Sequence, residues 1–125
     1  MKRGKIIPNG VSLEKHENET VVYFTNLGFD IELIPPDKGK GKKRPDFVMD
    51  GIEWEMKSPE SSGARTIEHA VRGALRQSEN IIIDLRRSKL DEERALAQIR
   101  FHTNKRTNIK RLVVITKKGK RLDLK

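Results

Sequence analysis

The sequence contains no cysteine, which excludes disulfide bonds and cysteine-ligated zinc sites. Aromatic residues make up only 5% of the chain, so single-stranded nucleic-acid binding by stacking of successive bases on aromatic side chains is disfavoured. No apolar run approaches the roughly 20 residues that cross a bilayer. The basic start of the chain also lacks the apolar stretch of a signal peptide. We therefore expect a cytoplasmic protein that has no membrane partner.

Histidines are also few. The three that are present, His16, His69 and His102, lie in three different predicted helices and form no His-x-x-x-His pair. A histidine-ligated zinc hydrolase is therefore disfavoured.

The most prominent positive feature is charge. The 125 residues carry a net charge of +9, which favours partners with phosphate backbones because neutralising phosphates releases counterions. Basic soluble proteins that bind no nucleic acid are also common, so charge alone does not decide. The length predicts one domain, residues 1–125, in which residues 1–11 form a flexible arm.

Hydrophobic spacing predicts the element order α-β-β-β-α-β-α-β-β, and hence an α/β fold with a mixed central sheet flanked by helices. The first helix is expected to begin at Ser12 as N-cap and to stop at Gly28. The predicted helices cover residues 13–27, 64–78 and 91–103. The predicted strands cover residues 29–34, 47–49, 52–56, 81–83, 112–115 and 121–124.

The most informative stretch is a predicted hairpin whose turn is Asp50-Gly51. Side chains alternate between the two faces of a strand, so the core face of the second strand should carry Ile52, Trp54 and Met56. The opposite face then carries Glu53, Glu55 and Lys57. Asp46, near the end of the partner strand, should lie beside Glu55 and Lys57.

Two carboxylates and a lysine at one edge of a hairpin suit phosphodiester hydrolysis. Asp46 and Glu55 supply the oxygen ligands that Mg²⁺ and Mn²⁺ prefer, and Zn²⁺ fits this pair less well. Lys57 would orient or deprotonate the attacking water, or stabilise the pentacovalent phosphate. In the alternative interpretation, Glu53, Glu55 and Lys57 form a solvated strand face with cross-strand ion pairs.

Pro45-Asp46, a hairpin and then Glu55-Met56-Lys57 resemble the motif of the PD-(D/E)XK nuclease superfamily. Over residues 12–84 the predicted order also resembles its αβββαβ restriction-endonuclease-like core, followed here by a C-terminal helix and strands. The resemblance implies that Asp46, Glu55 and Lys57 are catalytic. Many members add a carboxylate from the first helix, which implies Glu17 as a further catalytic and metal-binding residue. Glu19 is the alternative.

A closer resemblance is to the C-terminal nuclease toxin domains of contact-dependent growth inhibition proteins of the CdiA type, and to related polymorphic and phage-associated toxins. The residues that carry it are 34–36, 45–47, 54–59 and 81–85. It implies tRNA as substrate, with DNA as the alternative, and delivery to the cytoplasm as part of a larger secreted protein. It also implies a small acidic immunity protein as partner. A non-catalytic nucleic-acid-binding module and a protein-interaction domain are the other function classes to consider.

Two basic segments are candidates for contacting nucleic acid. The second helix carries a stripe at spacings of four, three and four, formed by Arg65, His69, Arg72 and Arg76. The Lys/Gly-rich loop, residues 37–44, ends in Lys43 and Arg44 directly before Pro45-Asp46. Each could instead be an ordinary solvated surface.

Overall fold

The computed structural model of the protein describes residues 2–36 and 44–125. Within these ranges the chain forms seven strands and three helices. In chain order they are β1 (Ile6–Ile7), α1 (Lys15–Asn26), β2 (Ile31–Leu33), β3 (Phe47–Met49), β4 (Ile52–Lys57), α2 (Thr66–Leu75), β5 (Asn80–Asp84), α3 (Glu92–Lys105), β6 (Arg111–Ile115) and β7 (Arg121–Asp123). No helix in these ranges is long and apolar enough to cross a membrane.

The seven strands of the described residues form one mixed sheet in which spatial order follows chain order. β1 and β2 are parallel, and β2, β3 and β4 form an antiparallel meander. β4, β5 and β6 are parallel because α2 and α3 connect them, and β7 returns antiparallel to β6. The predicted α/β class with a mixed central sheet is confirmed.

The helices cover both faces of the sheet. On one face, Val21 and Phe24 of α1 pack with Trp54 and Met56 of β4. On the other face, α2 and α3 pack on a core that includes Ile81 and Ile83 of β5. The strand that carries the Glu55-Met56-Lys57 motif therefore lies between two helical layers.

The predicted turns are confirmed by backbone geometry. Asp50 and Gly51 have φ values of 57° and 73°, the left-handed pair that a two-residue hairpin turn requires. Gly28 has φ of 98° and donates its backbone N–H to the carbonyl of Thr25 at 3.0 Å, so it ends α1 as predicted.

The start of the chain differs from the prediction. The predicted flexible arm, residues 1–11, instead contributes β1, which pairs with β2. Gly4 allows this approach, since a Cβ there would lie 1.7 Å from the carbonyl oxygen of Phe29. The predicted N-cap of α1 is also wrong. The helix is capped by Glu14 rather than Ser12, because the backbone N–H of Glu14 donates to the Glu17 carboxylate at 2.9 Å.

Several element bounds also shift. The second strand is 31–33 rather than 29–34, and the second helix is 66–75 rather than 64–78. The fourth strand extends to Lys57, because its last three residues, which follow the stretch paired with β3, pair with β5.

Candidate active site

Asp46 lies immediately before β3 and joins the two halves of the motif. Its backbone N–H donates to the carbonyl of Trp54 at 2.9 Å. Its carboxylate Oδ2 accepts the backbone N–H of Met56 at 2.8 Å. The side chain thus takes the place of a strand partner where the hairpin opens, and it lies beside Glu55.

Glu55 lies on β4 opposite Ile81 of β5, on the face that α2 covers. It is only 3% exposed, so the alternative interpretation, a solvated strand face, does not hold at this residue. Its Oε2 lies 3.5 Å from Lys57 Nζ. Its Oε1 is buried and has no hydrogen-bond partner among the described residues.

Burial and proximity perturb both carboxyl groups. Burial, followed by the charge of Asp46, raises the pKa of Glu55 to about 8 against the lowering effect of Lys57. Burial also raises the pKa of Asp46; the Met56 N–H opposes this shift, and the charge of Glu17 adds to it. Two close carboxyl groups with raised pKa values, one of them buried, mark a place where positive charge would be stabilising.

Lys57 ends β4 and extends along α2. The position opposite it on α2 is Gly73, where a Cβ would lie 3.7 Å from both Cε and Nζ of Lys57. A glycine inside a helix lowers helix stability. Because Gly73 has no side chain, it leaves space for the side chain of Lys57.

Glu17, in the first turn of α1, lines the same cavity as Asp46, Glu55 and Lys57. Glu19, the alternative, lines a separate cavity with Tyr23. Of the two candidates, the structure brings only Glu17 to the motif residues.

The shared cavity has a volume of about 260 Å³ and lies at the carboxyl ends of β4 and β5. Three further polar residues line it that were not predicted as site residues, His16 of α1, Ser58 and Arg87. Arg87 follows β5, and its Nε donates to the carbonyl of Ser58 at 2.8 Å. The sequence did offer a signal for Arg87, because it lies three residues after a predicted buried strand. In a parallel sheet, residues just after one strand lie next to the carboxyl end of the neighbouring strand.

A buried polar contact fixes α1 over this end of the sheet. Thr20 Oγ1 donates to Asp84 Oδ2 at 2.7 Å, and Asp84 is 4% exposed. Arg86 pairs with the same carboxylate at 2.8 Å and donates to the carbonyl of Glu19 at 3.0 Å. The first two turns of α1, which carry His16 and Glu17, are thereby held against β5.

The donor set suits a hard divalent cation. In residues 2–36 and 44–125, no group of three or more Asp, Glu, His or Cys side chains is arranged to hold a metal ion. Mg²⁺, however, keeps several waters and needs only one or two carboxylates. Asp46 and Glu55 provide that pair, and the unpartnered Oε1 of Glu55 is an oxygen that such an ion would satisfy.

Of the predicted nucleic-acid contacts that the structure describes, none lines this cavity. The α2 stripe is exposed as predicted, but Glu68 forms ion pairs with Arg65 at 3.2 Å and with Arg72 at 3.8 Å. Arg44 is exposed and borders a neighbouring cavity that Asp46 shares. Lys43 lies outside the described residues.

Comparison with known proteins places the chain in a family. The profile of the family "Contact-dependent growth inhibition CdiA C-terminal domain" matches residues 42–121, which is more than half of the chain and includes Asp46, Glu55 and Lys57. No curated protein sequence gives a significant match.

The fold is also similar to a solved structure, "CdiA-CT/CdiI toxin and immunity complex from Burkholderia pseudomallei". The TM-score is 0.70 and the identity 21%, with 96% of this chain and 98% of that chain covered. The chain therefore belongs to the CdiA C-terminal toxin domain family of contact-dependent growth inhibition.

Proposed function

We propose that this toxin domain is a metal-dependent nuclease that hydrolyses phosphodiester bonds. The observation that carries the proposal is the buried Oε1 of Glu55, which has no partner in the described part of the chain and belongs to a cavity shared with Asp46 and Lys57. Leaving a buried carboxyl oxygen unpaired is costly. A divalent cation, Mg²⁺ or Mn²⁺ rather than Zn²⁺, would remove that cost.

Asp46 and Glu55 would hold the cation directly, and Glu17, which lines the same cavity from α1, would bind it through a water. When bound, the cation supplies neutralisation of the scissile phosphate and acidification of a water. The hydrogen bond from Met56 to Asp46 Oδ2 holds one ligand in place before substrate arrives, which is the preorganisation that a catalytic site needs.

Lys57 would act on the attacking water or on the phosphate. Its Nζ lies 3.5 Å from Glu55 Oε2, so it is held beside the oxygen pair. It would orient or deprotonate the water, or stabilise the pentacovalent phosphate. Arg87 would add a second cationic group for the phosphate, held by its contact with the Ser58 carbonyl.

The proposed substrate is RNA, tRNA in particular, with DNA as the alternative. The net charge of +9 and the exposed stripe of α2 support a polynucleotide partner. Within that stripe His69 and Arg76 make no ion pair with any described residue, whereas Glu68 offsets the charge of Arg65 and Arg72. His69 and Arg76 are therefore our first candidates for phosphate contacts. Arg44, which borders the neighbouring cavity, and Lys43 are further candidates from the sequence.

We further propose an acidic immunity protein as partner. The structurally similar Burkholderia pseudomallei protein was solved as a toxin and immunity complex, and a strongly basic domain favours an acidic partner. The site of action would be the cytoplasm, after delivery as part of a larger secreted protein.

The proposal is tested by incubating the protein with tRNA and with DNA in Mg²⁺, Mn²⁺ or Zn²⁺, and with an EDTA control. We expect cleavage with Mg²⁺ or Mn²⁺, none in EDTA, and none by the Asp46→Ala and Lys57→Ala variants. Equal cleavage by these variants and wild type would show that the site assignment is wrong. Salt-dependent binding without cleavage in any metal would instead support a non-catalytic binding module.

A further inference from the structure

A second cavity, of about 400 Å³, adjoins the first and shares Glu17 and Asp46 with it. Its walls come from the segment before α1, the end of β2, the residues before β3 and the end of α2. Its size lies within the range of small-molecule and cofactor sites, roughly 300–1,000 Å³. Because two proposed metal ligands form the boundary, whatever occupies this cavity lies directly beside the proposed reaction centre.

The lining combines apolar walls with polar side chains, Gln77 among them. Leu13 and Ile34 are half-buried and Pro36 is exposed, and all three border the cavity. Gln77, also half-buried, lines it too, and its side-chain amide makes no hydrogen bond to any residue in the ranges 2–36 and 44–125. An amide offers both a donor and an acceptor.

These features match the chemistry of a nucleobase. Apolar side chains pack against the planar faces of the ring, and an amide side chain can bond its polar edge. Arg44 also lines the cavity and adds a positively charged side chain to its border. A phosphodiester held at Asp46 and Glu55 would have its attached nucleotide next to this cavity.

We propose that the second cavity binds one unstacked nucleobase of the substrate, and that Gln77 reads the edge of this base. The inference rests on the proposed nuclease function and deepens it. A base can enter the cavity only if it leaves its stack, so the preferred substrate is a single strand, a loop or an end rather than the interior of a duplex.

A binding experiment tests the cavity independently of catalysis. Single-stranded oligonucleotides carry one 2-aminopurine or pyrrolocytosine at successive positions, and each is bound to the metal-free protein in EDTA. We expect the fluorescence of one position to rise on binding, because that base unstacks. Leu13→Trp, which fills the cavity, should abolish this rise. Leu27→Trp is the matched control, since Leu27 is 39% exposed at the far end of α1.

A cleavage experiment then tests Gln77. In Mg²⁺ or Mn²⁺, the cleavage rate is measured for substrates that differ in the base flanking the cleaved bond. Gln77→Ala should lower the ratio between the fastest and the slowest of these rates by about tenfold, as expected for the loss of one or two hydrogen bonds. Gln98→Ala, on α3, is the control and should leave the ratio unchanged. An unchanged ratio in Gln77→Ala overturns the role of Gln77.

The two proposals fail in different ways. A base-specific fluorescence rise that Leu13→Trp removes, with no cleavage in any metal, supports the cavity and overturns the nuclease proposal. Cleavage with no position-specific rise overturns the cavity alone. Neither signal overturns both.

Discussion

The Asp46 carboxylate accepts the backbone N–H of Met56 at 2.8 Å, which ties the two halves of the Pro-Asp and Glu-x-Lys motif together. Asp46 therefore has two roles: its carboxylate stabilises the hairpin through this hydrogen bond, and it is a proposed metal ligand. An asparagine Oδ1 can accept the same hydrogen bond but carries no charge. The two roles can therefore be separated.

Asp46→Asn should keep the fold, and Asp46→Ala should weaken it. We expect Asp46→Ala to lower the free energy of unfolding by about 1–3 kcal/mol, because it leaves the Met56 N–H without its partner. Asp46→Asn should unfold at nearly the wild-type denaturant concentration, yet cleave nothing. Urea titrations read out the first effect and cleavage assays the second. Full cleavage by Asp46→Asn would contradict the proposed ligand role.

The raised pKa of Glu55, about 8 against an ordinary 4.5, predicts a pH-dependent stability in metal-free protein. Between these values the unfolded chain has lost a proton that the folded chain retains. Stability should therefore be highest below about pH 4.5 for this group, and should fall as the pH rises through 8. Thermal unfolding in EDTA measures the trend.

The Glu55→Gln variant serves as control for that trend, since it cannot ionise. Its stability should fall less than that of the wild type over the same pH range. At pH 8, Mg²⁺ or Mn²⁺ should raise the melting temperature of the wild type and leave that of Glu55→Gln nearly unchanged. Identical pH profiles for the two proteins would argue against a buried, ionisable Glu55.

The contact between Gly73 of α2 and Lys57 predicts how large a side chain position 73 can carry without displacing the lysine. Gly73→Ala places a Cβ 3.7 Å from Lys57 Cε and Nζ, an ordinary contact, so activity should persist. Stability should rise by about 0.5–1 kcal/mol from helix propensity. Gly73→Leu should displace the lysine and abolish cleavage while the protein remains folded. Circular dichroism and cleavage assays distinguish the two, and an active Gly73→Leu would contradict this packing.

The hydrogen bond from Thr20 to Asp84 should hold α1 in place over the sheet. Thr20→Val keeps the shape and removes the 2.7 Å hydrogen bond to the buried carboxylate, which should cost about 1.5–3 kcal/mol. Cleavage under conditions where the variant is fully folded should also fall, because α1 carries Glu17.

Thr103→Val is the matched control, since Thr103 is buried on α3 and bonds only the Ile99 carbonyl of its own helix. Thr103→Val should lower the free energy of unfolding but leave the cleavage rate per folded molecule unchanged. Equal rates for Thr20→Val and Thr103→Val would show that this contact does not position the site.

Local chemistry made part of this structure predictable. Asp50-Gly51 requires only its own two residues to form a left-handed turn, and the alternation of Trp54 and Met56 places them in a core whatever the rest of the fold does. The burial of Glu55 was not predictable in this way. It depends on α2 covering one face of β4, a contact between segments far apart in the chain.

Long-range placement also explains the residues that sequence reasoning missed. Arg87 reaches the cavity because β5 pairs in parallel with β4, and His16 reaches it because Thr20 and Asp84 hold α1 there. β1 was missed because a two-residue strand, Ile6–Ile7, has no periodicity to detect. The close approach of Gly4 to Phe29 is one of the contacts that allow this pairing.

In the proposed site a buried Glu55, and not merely a negatively charged strand, holds the metal. Glu53 provides a comparison two residues away, since it is exposed on the same strand. The direct measurement is the initial rate of tRNA and DNA cleavage in saturating Mn²⁺ by Glu55→Gln and by Glu53→Gln. We predict that Glu55→Gln loses cleavage by at least about 10²-fold and that Glu53→Gln cleaves like the wild type. Cleavage by Glu55→Gln at the wild-type rate would show that Glu55 is not a metal ligand.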